Sequence, residues 1–103
     1  MPLLIKLQGP ISRPVVICDH CNKEITDAQD GNYQWLMRTS GDGVEGEVYF
    51  THKSCCDAFE SAHPPSWRWG AMELDCLLVY LANNLKVDWE KAARKVAMLD
   101  SIG

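Results

Sequence analysis

The chain has little of what would mark it as secreted, membrane-spanning or catalytic. Its opening stretch, MPLLIKLQGP, carries no basic region ahead of a sustained apolar run, because Lys6, Gly9 and Pro10 interrupt it, so no signal peptide is expected. The longest apolar run, CLLVYLA at 76–82, is far short of the roughly 20 residues needed to cross a bilayer. There is no Ser-His-Asp order, no phosphate-cradling glycine loop and no HExxH helix, and the carboxylates are scattered. No enzymatic activity is therefore expected.

Positive charge is also scarce. Ten Lys and Arg stand against 14 Asp and Glu, a net charge of −4, so the chain lacks the basic footprint of a phosphate-binding protein. Lys86, Lys91, Arg94 and Lys95 are interrupted by Asp88 and Glu90, which reads as a solvated helix face. No repeat, low-complexity tract or aromatic-poor tail is present. The 103 residues are expected to form one domain, whose modest core gains from a staple. A reducing cytoplasm is the expected location, and there clustered cysteines bind metal more often than they form disulfides.

What is present changes character near residue 50, from strand signals to helix signals. RPVVIC is β-branched and follows Pro14, predicting a short strand that delivers Cys18. NYQWLMRT alternates Tyr33, Trp35 and Met37 against Gln34 and Arg38, as a half-buried strand does. GEVYF has similar character, and SGDGVEG between them supplies the glycines of a reversing loop. Thr51 is expected to cap a helix carrying Cys55, Cys56, Phe59 and Ala62 and ending before Pro64 and Pro65. Leu74, Leu77, Leu78, Leu81 and Leu85 form a helical stripe expected to face the core. Asp88 caps a last helix with Trp89, Ala92, Ala93 and Val96 on one face. The class expected is α+β, with a hairpin module followed by two or three packed helices.

The five cysteines carry the chemistry. CDHC supplies Cys18 and Cys21, and after the 30 residues from 22 to 51 come His52 and Cys55. Ligands separated by two residues reach one ion from a tight knuckle, and ligands at i and i+3 share a helical face, so the two pairs complete a tetrahedron around one structural Zn²⁺. Free N–H groups in a helix's first turn favour negative charge, so Cys55 is expected to ionise. Three thiolates, one imidazole and Zn²⁺ sum to −1, which Lys23 and Lys53 are placed to offset. Asn22 suits the left-handed conformation that closes such a knuckle. Cys56, at i+4 from His52, is the alternative to Cys55. A redox role for Cys18 and Cys21 requires a helix opening at the motif, whereas NKEITDAQDGN reads as a loop. Cys76 reads as a small core residue, and His20 and His63 as non-ligands.

CDHCNKEI, the hairpin and YFTHKSC together resemble a treble-clef zinc finger, with a ligand order similar to the first zinc module of a LIM domain. The resemblance covers residues 16–62 and implies a structural zinc on Cys18, Cys21, His52 and Cys55. The interval is longer than in LIM domains, and residues 66–103 place helices where a second zinc module would stand. This part is expected to pack on the first within a single domain.

The remaining feature is PPSWRWG, in which Trp67 and Trp69 flank Arg68, the composition of a binding hot spot. The other reading of the tryptophans is that they fill the gap between the zinc module and the helices. The function expected is a small zinc-stabilised module that binds another protein or regulates it. The alternative is a nucleic-acid-binding accessory protein of the transcription-related zinc-finger kind, which net charge does not favour. The apolar circumference of the Leu74–Leu85 helix also allows self-association.

Overall fold

The computed structural model describes residues 3–37 and 46–102. Six strands and three helices form among the described residues, where three strands were expected. Strand β1 (Leu3–Gln8) pairs antiparallel with β2 (Ile11–Ile17), which pairs with the short β3 (Glu24–Ile25). Gly9 has a φ of 65° and precedes Pro10, so the turn residues that break the apolar run instead reverse it into a hairpin. The strand escapes period-2 reading because Leu3, Leu4, Ile5 and Leu7 are all exposed. With neither face buried, nothing imposes alternation.

A second sheet is built around β4 (Gly31–Met37), flanked antiparallel by β5 (Val48–His52) and β6 (Arg68–Glu73). The pairing of β4 with β5 is the expected one, and the loop SGDGVEG that joins them lies, except for Gly46, outside the described residues. Strand β6 replaces part of the expected connection after Pro65. Its Gly70 weakens any strand signal, but the Trp35 ring lies where a Cβ on Gly70 would stand, within 2.3 Å of its ideal position, so glycine lets β6 close on β4.

The register separates the two faces of this sheet. Tyr33, Phe50 and Met72 share a row on one face, and Gln34, Tyr49 and Ala71 share the adjacent row on the other. The first face meets the other sheet, where Cys18, Ile25, Tyr33, Phe50 and Leu74 form the core, with Val16, Cys21, Cys55, Cys76 and Leu77 packed against it. The second face is covered by helix α1 (Cys56–Ser61), whose Phe59 is buried. Gln34 is thus fully buried rather than solvent-facing, and its alternation with Tyr33 reports two covered faces.

Thr51 does not cap α1. It lies in β5, fully buried, and its hydroxyl donates to Gln34 Oε1, while a 3₁₀ turn over Lys53–Cys55 precedes the helix. Helix α2 (Leu74–Asn84) follows β6 directly. Its Leu74 and Leu77 reach the core, as does Cys76, but Leu78, Leu81 and Leu85 are exposed, so the leucine stripe faces the core only at its N-terminal end. Helix α3 (Trp89–Ile102) begins as expected, with Asp88 Oδ1 accepting the Lys91 N–H at 3.0 Å. Its expected apolar face is not buried: Trp89 and Val96 are exposed, and Ala92 is half-buried.

Candidate metal centre

Strand β2 delivers Cys18 into a tight knuckle in which Asn22 N–H donates to the Cys18 carbonyl at 3.0 Å and Cys18 N–H donates to the Lys23 carbonyl at 2.9 Å. Asn22 takes a φ of 61°, the left-handed conformation expected of it. Asp19 anchors the knuckle to the other sheet: its N–H donates to the Phe50 carbonyl at 2.7 Å, and its carboxylate accepts the Phe50 N–H at 2.8 Å. This clamp brings the CDHC turn to the end of β5, where the chain presents His52 and then Cys55.

The ligand atoms of Cys18, Cys21, His52 and Cys55 lie within 4.8 Å of one another, the one group of three or more such residues among those described. Cys21 Sγ is 3.3 Å from His52 Nδ1. With bonds of about 2.3 Å to sulfur and 2.0–2.1 Å to nitrogen, a tetrahedral zinc site has N–S edges of about 3.6 Å and S–S edges of about 3.8 Å. The group therefore needs a contraction of at most about 1 Å to close on an ion. A Cys3His set positioned in this way can hold a metal ion, and all five cysteines are free of disulfides.

The imidazole is held from behind. His52 Nε2 lies 3.2 Å from the Glu24 carbonyl oxygen, and because a carbonyl only accepts, Nε2 carries the proton and Nδ1 offers its lone pair to the sulfurs. Strand β3 thereby sets the tautomer of a ligand on β5, a role no spacing in the sequence announces.

The thiols do not share the burden of charge as expected. Burial works to raise the Cys18 pKa, but the backbone N–H groups of Cys21, His52 and His20 outweigh it and bring the value down to about 6. Cys55 moves the other way, to about 11, through burial and then the negative charge of Cys18 together with hydrogen bonding to Cys18 and Cys21. The early thiolate is that of Cys18 in the knuckle rather than Cys55 beside the helix. One anion has formed, and a second beside it is unfavourable until a cation arrives.

Cys56 turns away from this group, its Sγ donating to Glu60 Oε2 at 3.5 Å. His20 is exposed, and the His63 Nδ1–H donates to the Phe59 carbonyl at 2.8 Å. Lys53 pairs with Glu73 at 3.6 Å instead of standing free to offset the cluster. Of the PPSWRWG residues, Trp67 is exposed and Trp69 half-buried, and both join Tyr49, Phe59 and His63 in an aromatic cluster on the sheet face opposite Tyr33 and Phe50. Arg68 is exposed on the strand between them. Asp19 was the functional residue sequence reasoning passed over, although its place inside CDHC is itself the signal.

Comparison with protein-family models, with curated proteins and with solved structures finds no match for this chain. Among the described residues, no helix is long and apolar enough to cross a membrane.

Proposed function

We propose that Cys18, Cys21, His52 and Cys55 bind one Zn²⁺ and that the ion is structural, stapling the two sheets of a small protein-binding module. The observation that carries this reading is the Cys3His group itself, drawn from a knuckle on one sheet and the end of a strand in the other. Four protein donors fill a tetrahedral zinc and leave no position for water or substrate, so the ion supplies cohesion and not catalysis. Soft thiolates with one imidazole suit zinc over harder divalent ions, and a reducing cytoplasm suits them. The order of knuckle, antiparallel strand pair, turn and helix supports the treble-clef resemblance.

The partner surface in this reading is the Trp67–Trp69 region, because exposed tryptophan is the residue type that most often anchors an interface. Cobalt substitution tests the metal site. Co²⁺ on three thiolates and an imidazole gives intense visible d–d absorption and near-ultraviolet charge-transfer bands. Cys55→Ser should weaken both, and Cys56→Ser should leave them unchanged. The opposite pattern would transfer the fourth ligand to Cys56.

A further inference from the structure

On the sheet face away from the metal cluster, an open groove of about 560 Å³ is lined by residues including Asp57, Glu60, His63, Pro64, Trp67 and Trp69. Its size falls within the range of small-ligand and side-chain sites. Its walls are aromatic: Trp67 stacks on His63 with ring centroids 5.4 Å apart, and Trp69 packs edge-on against His63 at 5.1 Å. Trp67 nevertheless keeps 43% of its surface exposed. Indole faces carry negative electrostatic potential and attract cations.

The groove also holds a carboxylate fixed from inside the fold. Thr51, fully buried, donates its hydroxyl to Gln34 Oε1, which turns the Gln34 amide so that Nε2 donates to Glu60 Oε2 at 2.9 Å. The Cys56 thiol donates to the same oxygen at 3.5 Å. Gln34 is itself fully buried, so a polar relay occupies a core position of the central strand and ends on a groove carboxylate. Among the described residues both donors terminate on Oε2, leaving Oε1 for a ligand. Asp57, exposed one turn earlier on α1, adds a second negative charge at the rim.

We infer that this groove binds an arginine side chain of a partner polypeptide, stacked on Trp67 and paired with Glu60. Guanidinium is the cation that fits both halves of the site: it is planar, stacks on indole, is weakly hydrated and offers a fork of N–H donors to a carboxylate. An ammonium group is a strongly hydrated point charge that forms no planar stack. The inference rests on reading the Trp67–Trp69 region as the partner surface. The groove lies on the sheet face opposite the Tyr33 and Trp35 face that meets the other sheet.

The test is titration of the ¹⁵N-labelled, metal-loaded full chain with the peptide Ac-Gly-Gly-Arg-Gly-Gly-NH2, and with its citrulline and lysine counterparts, following the indole N–H signals of Trp67 and Trp69. The arginine peptide should shift both signals saturably, the citrulline peptide should bind about tenfold more weakly, and the lysine peptide should fall between them. Glu60→Gln should weaken arginine binding about tenfold. If that change disturbs the Gln34 relay, Asp57→Asn and Trp67→Ala, both at exposed positions, should each weaken it with the remaining spectrum unchanged. Equal binding of arginine and citrulline peptides, or saturation instead by a proline-rich peptide at the same tryptophans, would overturn the arginine inference and leave the partner surface standing. No shift of either tryptophan with any peptide would overturn both.

Discussion

Cys18 and Cys55 set the pH behaviour of the site because their pKa values diverge. Cys18 in the folded chain, at about 6, lies below the thiol's ordinary 9.0, so its contribution to folded-state stability is complete above about pH 9 and is lost as pH falls through about 6. Cys55, at about 11, acts oppositely: its contribution is present below 9.0 and is lost as pH rises through about 11, until a metal replaces its proton. Acidification should therefore release the metal. Chelator challenge at pH 8, 7 and 6 should leave progressively less metal bound, and retention that is constant or rises toward pH 6 would contradict this assignment. Removing Cys18 altogether should leave the residues before β5 unfolded, because structural zinc is worth on the order of 10–16 kcal/mol in finger peptides, as much as a whole domain's stability. A metal-free Cys18→Ser variant with the native circular dichroism spectrum would refute that. The candidate group was legible in the sequence, because spacing pairs Cys18 with Cys21 and His52 with Cys55 or Cys56, and the structure brings Cys55 rather than Cys56 into the group. The ionisation of the individual cysteines was not, since it depends on which backbone N–H groups face each sulfur, and only the folded knuckle fixes that.

The elements divide by whether their signals are local. The antiparallel pairing of β4 with β5, the end of α1 before Pro64 and the Asp88 cap of α3 follow from residues in or next to each element, and each was readable. Strand β6 was not, because what makes Arg68–Glu73 a strand is the fit of Gly70 beneath the Trp35 ring, a contact across 35 positions of sequence. That fit gives the sharpest test of the second sheet. Gly70→Ala sets a Cβ 2.3 Å from the indole and should lower stability by about 1–3 kcal/mol in urea denaturation, whereas Gly46→Ala, with nothing within 4 Å, should change it little. Equal effects would mean that β6 does not close on β4 in this register. Thr51 shows the same limit: a helix cap by residue type, it serves β5 because buried Gln34 requires a donor. Thr51→Val leaves the Gln34 carbonyl unpaired and should cost about 1–3 kcal/mol in the same measurement.

At the scale of the whole molecule, the chain is extended, 50 by 29 by 20 Å, and much of its apolar surface is outside the core. Leu78, Val79, Tyr80 and Leu81 on α2 and Leu85 just beyond it are exposed, as are Val96 and Leu99 on α3 and most of β1. The leucine periodicity of α2 was visible in the sequence, but whether that face meets the core or a partner is decided by how far the helix overlaps the sheets, which no local pattern encodes. Exposed apolar surface on this scale is characteristic of an interface. Light scattering after gel filtration should accordingly show self-association that increases with concentration, and a monomer at every concentration would argue that a different partner covers these faces. In the reading proposed, one ion on Cys18, Cys21, His52 and Cys55 joins the two small sheets. The most direct test is the intact mass of freshly purified, tag-free protein under native and denaturing conditions, with metal quantified on the same sample. The account predicts one zinc per chain, lost on denaturation, with all five thiols reduced. A metal-free mass with a deficit of two protons would contradict it and make Cys18 and its neighbours a disulfide centre.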